Sequence, residues 1–157
     1  MKHSSIYVQL LRFLEIDDDT KARAQRLSEL LDPHFDSIVE RFYAKVMAAR
    51  ISPHITPNSV ERLKKSQKAH WRALFETTFN EDYIESVRRI GARHRGIELD
   101  PMWYVAGYAM LKIEFTMVIV RADIPIAEKG YLIKTLDKYV AIDMGLSLSS
   151  YETAFLD

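Results

Sequence analysis

His94 is the residue of this chain best placed to do metal chemistry. It ends a helical face on which side chains recur at every third or fourth position: Tyr83, Val87, Ile90 and then His94. The imidazole is therefore predicted to point into the interior. A neutral imidazole there either hydrogen-bonds to a backbone carbonyl as a core residue or binds a metal through one ring nitrogen while the other donates to an acceptor. Spacing alone favours the core role, so ligation needs support from the rest of the chain.

A second candidate, Tyr43, lies on the apolar face of a helix predicted over residues 35–49. That face contains Ile38, Val39, Phe42, Tyr43, Val46 and Met47. Most tyrosines at such positions are core residues with the hydroxyl at the edge of the apolar region. In a dry pocket, however, the phenol would donate a hydrogen bond, and oxygen bound to ferrous haem carries a partial negative charge that such a donor stabilises. An inward histidine and a tyrosine on separate apolar helices thus indicate a haem pocket as one interpretation.

The helix predicted from Pro57 to about Thr78 adds a serine and a second histidine. Its inner stripe is predicted to contain Leu63, Ser66, His70 and Leu74. Ser66 is the second candidate for a hydroxyl donor. For His70 we expect exposure to solvent or pairing with a haem propionate, rather than a second bond to iron.

Helical periodicity dominates the sequence, and no alternating strand pattern accompanies it, so the predicted class is all-α. Candidate caps begin three of the helices: Asp17, Thr56 with Pro57, and Asp100 with Pro101. The predicted helices cover about residues 4–14, 20–31, 35–49, 57–78, 81–96, 101–122 and 126–155. A single domain over residues 1–157, with 48% apolar residues, accommodates them around one core.

The last two predicted helices raise the questions of membrane insertion and assembly. From Trp103 to Val120 the sequence is almost entirely apolar. Because Lys112 and Glu114 interrupt this run, a helix buried on all sides is predicted rather than a membrane span. The final helix carries two parallel apolar stripes, more than a surface helix of a monomer needs. The extra width predicts packing against a second copy of the chain; the alternative is a helix enclosed by its own core.

Composition excludes several function classes. The 22 lysines and arginines balance 22 aspartates and glutamates, so no basic surface for nucleic acid or an anionic membrane is predicted. The absence of cysteine excludes disulfides, thiol catalysis, iron–sulfur clusters and covalently attached haem. Neither a nucleophile motif nor a phosphate-binding glycine loop is present, which argues against a hydrolase or kinase. The N-terminus lacks a signal-peptide pattern, so a cytoplasmic location is expected.

Three segments resemble the globin domains of bacterial globin-coupled sensors, in the same order and with similar spacing. They are the pair Phe42-Tyr43, the run Leu63-Lys-Lys-Ser66-Gln-Lys-Ala-His70, and the segment from Ile90 through His94 and Trp103-Tyr104 to Tyr108. The similarity extends from about residue 20 to the end of the sequence, and its motifs lie between residues 42 and 108. One departure follows the histidine, where Ile97-Glu-Leu99 replaces the family's usual Ile-Gly-Leu.

The resemblance implies a globin fold with an N-terminal pre-helix, noncovalent haem b, and dimerisation through the last two long helices. The residues that it assigns to haem and ligand binding are His94, Tyr43, Ser66, Phe42, Leu63, Trp103 and Tyr104. Among them, His94 is the metal ligand, Tyr43 recognises oxygen and Ser66 supplies another distal hydroxyl. Tyr104 lies near the proximal helix in this family and is implicated in signalling.

The function expected from the resemblance is a haem-based sensor of oxygen, with carbon monoxide and nitric oxide as further ligands. The sensor itself is not an enzyme, and it would act on an output domain such as a chemotaxis transducer or a diguanylate cyclase. Because none follows residue 157, we interpret the sequence as a sensor fragment or a single-domain member. Two alternatives stay open: a globin with oxygen or nitric oxide chemistry, and a haem-free interaction module, against which the presence of His94 argues.

Overall fold

The fold is all-α, as predicted. A computed structural model describes residues 2–96 and 99–156. The helices are α1 (Lys2–Phe13), α2 (Asp18–Leu31), a short 3₁₀ helix (Asp32–His34), α3 (Phe35–Ala49), α4 (Pro57–Glu76), α5 (Glu81–Gly96), α6 (Pro101–Arg121) and α7 (Ile126–Leu156). Every predicted helix is present, with ends close to those expected. Ile97 and Glu98, where the sequence departs from the Ile-Gly-Leu usual in globin-coupled sensors, lie outside the described residues.

Side-chain caps begin two of the helices that position the site. At the start of α4, Thr56 Oγ1 accepts a hydrogen bond from the Ser59 amide at 3.3 Å, and Ser59 Oγ accepts one from the Thr56 amide at 3.0 Å. At the start of α6, Asp100 Oδ1 accepts a hydrogen bond from the Met102 amide at 2.8 Å. Each cap satisfies amides that the first helical turn leaves unpaired, so both predicted helix starts are confirmed.

The core is centred on α7, which packs along α2, α5 and α6. The largest fully buried side chains of the core are Leu27, Leu31, Phe35, Ile38, Val39, Phe75, Val87, Ile119, Leu132, Leu136, Tyr139 and Ile142. Aromatic contacts join α3, α4 and α6, because the ring of Trp71 lies 5.3 Å from that of Phe35 and 5.0 Å from that of Phe115. Such pairs stabilise a core by about 0.5–1.5 kcal/mol each beyond the area that they bury.

Both apolar stripes of α7 face the core of the same chain over the first half of the helix; the side chains of Tyr151 and Phe155, the last members of one stripe, lie outside the described residues. Leu136 and Val140 belong to one stripe, and Leu132, Tyr139 and Ile142 to the other; all five are buried. The core of the same chain therefore encloses this part of the double stripe, which was the alternative interpretation, whereas Met144, Leu146 and Leu148 are only partly buried. A partner docked on the rest of α7 stays a prediction.

The prediction that α6 is buried on all sides is wrong. Its inner face contributes Tyr104, Leu111, Phe115 and Ile119 to the interior. A second face is exposed along the whole helix, and we call it the α6 stripe: Met102, Ala106, Ala109, Ile113, Met117 and Val120. By length and composition alone α6 would be able to cross a membrane. Since its other face packs on the core, and Glu114 pairs with Arg41 at 2.7 Å, α6 is an integral helix of the domain.

Candidate functional site

His94 is held on α5 in the orientation that a metal ligand needs. Its Nδ1 lies 2.7 Å from the carbonyl oxygen of Ile90, which can only accept, so Nδ1 donates. Burial lowers the pKa of His94, although the hydrogen bond to Ile90 opposes that shift. The ring is therefore neutral at physiological pH, with its proton on Nδ1 and its lone pair on Nε2. That tautomer fits a haem iron, whose proximal histidine binds through one nitrogen and donates from the other.

Tyr104 is the neighbour that confines the imidazole. The side chain of Tyr104 is 6% exposed, and its ring meets that of His94 edge-on with centroids 4.9 Å apart. Trp103, the next residue, is 46% exposed and lies on another face of α6. The structure thus brings only the second member of the Trp103-Tyr104 pair to His94, because consecutive residues of a helix point about 100° apart.

Tyr43 lies on the buried face of α3, as predicted. It is 8% exposed, and its ring packs edge-on against Phe42 with centroids 5.2 Å apart. Burial raises the pKa of the Tyr43 phenol to about 12, so the hydroxyl keeps its proton and is a donor at neutral pH. Phe42 in turn approaches α6 at Gly107, where a Cβ would lie 3.6 Å from its Cζ. These contacts fix the Tyr43 ring between α3 and its neighbours.

Three of the four residues of the predicted inner stripe of α4 are at least partly buried, and Ser66 is the exception. Leu63 is partly buried against the core, whereas Ser66 is exposed. The face of α4 that packs into the domain instead contains Trp71, Leu74 and Phe75. The prediction that Ser66 lies inward is therefore wrong, and a hydrogen bond from its hydroxyl to a ligand stays a prediction.

His70 does not face solvent, which corrects that expectation. Its side chain is 10% exposed, and Nε2 lies 2.9 Å from both carboxylate oxygens of Asp143 on α7. Burial alone would lower the pKa of His70, but the charge and hydrogen bond of Asp143 outweigh it and raise the pKa. An internal carboxylate thus takes the place expected for solvent or a propionate.

Asp143 is the functional candidate that the sequence analysis missed. Its side chain is 2% exposed, and its oxygens accept hydrogen bonds from the hydroxyls of Tyr83, at 2.8 Å, and Tyr108, as well as from His70. Burial alone would raise the pKa of Asp143, but the His70 charge and these three donors lower it. The attraction between the two charges therefore favours the ion pair, in which His70 is protonated and Asp143 is ionised. The sequence did contain a signal for this residue, because Asp143 lies on the helical face otherwise formed by Leu132, Leu136 and Tyr139.

The Protoglobin family model matches residues 4–156, nearly the whole chain. The globin domain of the Geobacter sulfurreducens globin-coupled sensor has a similar structure, with a TM-score of 0.80 at 15% identity over 91% of this chain and 95% of that one. The globin domain of E. coli DosC, in a ferric and a ferrous form, gives a TM-score of 0.75 at 20% identity over 92% of this chain and 99% of that one. These structures show the globin fold, and the match over residues 4–156 shows that the chain belongs to the Protoglobin family.

Proposed function

We propose that this globin domain is a haem-based oxygen sensor in which His94 ligates the iron of haem b. The observation that carries the proposal is the neutral His94 ring, with Nδ1 bound to the Ile90 carbonyl and Nε2 left to ligate. The haem, when bound, supplies the position at which oxygen, carbon monoxide or nitric oxide binds. Membership of a globin family and the shared fold with two sensor globin domains support the assignment.

The side chains around the haem have separate tasks in this proposal. His94 holds the iron, Tyr43 donates a hydrogen bond to the gas, and Tyr104 confines the imidazole. Phe42 and Leu63 give the distal side apolar walls that exclude water, which strengthens the Tyr43 hydrogen bond. Ser66 and Trp103 keep their predicted places at the haem as proposals, although both are exposed. Catalysis would belong to an output domain, and a cytoplasmic location stays a prediction.

Replacing Tyr43 with phenylalanine is expected to make oxygen dissociate about 10-fold faster, because one hydrogen bond to a partly charged ligand is worth about 1.4 kcal/mol. Carbon monoxide carries less charge, so its dissociation should change less. Stopped-flow measurement of both gases tests the prediction. Tyr139→Phe is the matched control, since Tyr139 is also buried with a pKa raised to about 12 but packs against Phe75 and Phe79.

An unchanged oxygen dissociation rate in the Tyr43→Phe protein would remove Tyr43 from the ligand-binding site. Equal acceleration of oxygen and carbon monoxide would also contradict the proposal, because it would indicate a wider pocket rather than a lost hydrogen bond.

Signal transmission requires a second copy of the chain, and we propose that the α6 stripe forms its interface. The stripe is apolar over five turns, and two small residues at its centre, Ala106 and Ala109, let a partner helix approach closely. Such an exposed apolar face on a soluble domain is typical of an interaction surface. This assignment adds a face of α6 to the interface predicted from the double stripe of α7.

Substitution of Ile113 by glutamate is expected to weaken the dimer at least about 10-fold, because a carboxylate placed in an apolar contact costs more than 1.4 kcal/mol. Ile113 is 53% exposed in the single chain, so the fold should tolerate the change. Sedimentation velocity across a concentration series measures the effect. Ala22→Glu, at an exposed position of α2, adds the same charge elsewhere and should leave the dimer intact.

A dimer equally stable in the Ile113→Glu protein would exclude the α6 stripe as its interface. A parent protein that stays monomeric at all concentrations would exclude the dimer itself.

A further inference from the structure

Four polar side chains join four helices at one point, and we call them the Asp143 cluster: His70 of α4, Tyr83 of α5, Tyr108 of α6 and Asp143 of α7. Tyr83 and Asp143 are buried, and His70 and Tyr108 are partly buried. Asp143 is the common acceptor, and each of the other three donates to its carboxylate. No helix of the four can shift along its neighbours without breaking a hydrogen bond to the same group.

The Asp143 cluster is a costly arrangement that fixes geometry rather than merely filling space. Removing a carboxylate from water is unfavourable, and the attraction of His70 compensates only when the remaining lone pairs are also satisfied. Here the hydroxyls of Tyr83 and Tyr108 satisfy them. A fully connected buried network of this kind restricts each member to one orientation. The position of the Tyr108 hydroxyl is therefore set by Asp143.

A continuous series of contacts leads from the Asp143 cluster to His94. The Tyr108 hydroxyl lies 3.2 Å from the Tyr104 hydroxyl, and the two rings meet with centroids 5.0 Å apart. Tyr104 then contacts the imidazole edge-on, with centroids 4.9 Å apart. His94 is held on its other side by the Ile90 carbonyl, so its ring is confined between a backbone acceptor and the Tyr104 ring.

We infer that Asp143 is a positioning residue for the proximal histidine, acting through Tyr108 and Tyr104. The inference rests on the proposed function, since it concerns the orientation of the ring that would bind iron. It follows that a tilt of His94 is resisted by Asp143 and is transmitted to α7 and, through His70, to α4. The His70–Asp143 pair thus links α5, which carries His94, to α4 by a route made only of protein side chains.

The test measures the iron–histidine stretching band by resonance Raman spectroscopy of the haem-loaded, ferrous, unligated protein. Tyr108→Phe removes the hydroxyl between Asp143 and Tyr104, and Asp143→Asn removes the charge while keeping the shape. Both are expected to shift or broaden the band. Tyr83→Phe is the matched control, because it removes a hydrogen bond to the same carboxylate but no hydroxyl between Asp143 and Tyr104; its band should shift less than that of Tyr108→Phe.

The outcomes separate this inference from the proposed function. A band that is absent from the parent, or that persists in His94→Ala, refutes His94 ligation and with it the inference. A His94-dependent band that stays unchanged in Tyr108→Phe and Asp143→Asn overturns the inference alone. An equal shift in Tyr83→Phe also overturns it, because the effect would then follow general loosening of the Asp143 cluster. If Asp143→Asn does not fold, Tyr108→Phe decides the question.

Discussion

The substitution His94→Ala is expected to lower the affinity of the protein for haem by at least about 100-fold. Replacing a residue that merely hydrogen-bonds to a metal ligand already lowers metal affinity about 10–100-fold. His94 supplies a neutral nitrogen lone pair whose orientation is fixed by the hydrogen bond from its other ring nitrogen to the Ile90 carbonyl. Titration of the haem-free protein, followed by absorption, measures the affinity. Added imidazole should restore part of the ferrous spectrum by occupying the vacated space.

His34→Ala is the matched control for this substitution. His34 is an exposed histidine in the 3₁₀ helix, so its loss should leave the titration unchanged. If His94→Ala binds haem with the affinity and spectrum of the parent, another residue ligates the iron, and the inward orientation of His94 is that of an ordinary core histidine.

Replacing His70, the cationic partner of Asp143, is expected to have the largest effect on the free energy of unfolding. His70→Leu leaves the Asp143 charge buried without its cation, and breaking such a pair costs about 3–5 kcal/mol of unfolding free energy. Urea unfolding at pH 6 measures the difference. The double variant His70→Leu, Asp143→Asn removes both charges and should recover part of the loss, because no unpaired charge stays buried and the asparagine oxygen can still accept from the tyrosine hydroxyls.

The effect of His70→Leu is also expected to depend on pH. The pKa of His70 is raised from its ordinary value of 6.5, so its contribution is complete below about pH 6.5 and is lost as the pH rises through the raised value. The pKa of Asp143 is lowered from 3.8, so its contribution is present above about pH 4 and is lost as the pH falls through the lowered value. The difference from the parent should therefore be largest near pH 4–6.5 and shrink in alkaline solution.

If the unfolding free energies of His70→Leu and the parent differ by the same amount from pH 5 to pH 9, the His70–Asp143 contact is a hydrogen bond whose strength does not depend on the charge of His70. A double variant no more stable than His70→Leu would indicate that the destabilisation comes from packing around α4 rather than from the charge of Asp143.

Local sequence signals predicted the helices and the inward orientation of His94. Thr56 and Asp100 cap α4 and α6 where the sequence indicated, because capping depends on residues three positions apart or fewer. His94 points inward because it continues the stripe of Val87, which is fully buried. These features needed no knowledge of how the helices pack.

Features that depend on the packing of distant helices were mispredicted or missed. Periodicity shows that a helix has an apolar face, but not whether the core of the same chain or a partner covers it. For that reason the enclosed part of the double stripe of α7 was assigned to a partner, and the exposed stripe of α6 was assigned to the core. Asp143 was missed for the same reason, because its donors His70, Tyr83 and Tyr108 are 73, 60 and 35 residues away in sequence.

Ser66 shows a further limit of spacing arguments. A stripe at intervals of three and four predicted that Ser66, His70 and Leu74 share one inward face, and two of them do. Ser66 is exposed, although Leu63 before it and His70 after it on the same face are partly buried. A face of one helix therefore need not have one environment along its whole length.

The central claim, reversible oxygen binding at a haem held by His94, is tested most directly by the absorption spectrum of the purified, haem-loaded protein in the ferrous state before and after addition of oxygen. The account predicts a five-coordinate ferrous spectrum that converts to a stable oxygenated one and returns when oxygen is removed. Failure to take up haem would contradict the account, as would immediate oxidation by oxygen or a ferrous spectrum that does not respond to it.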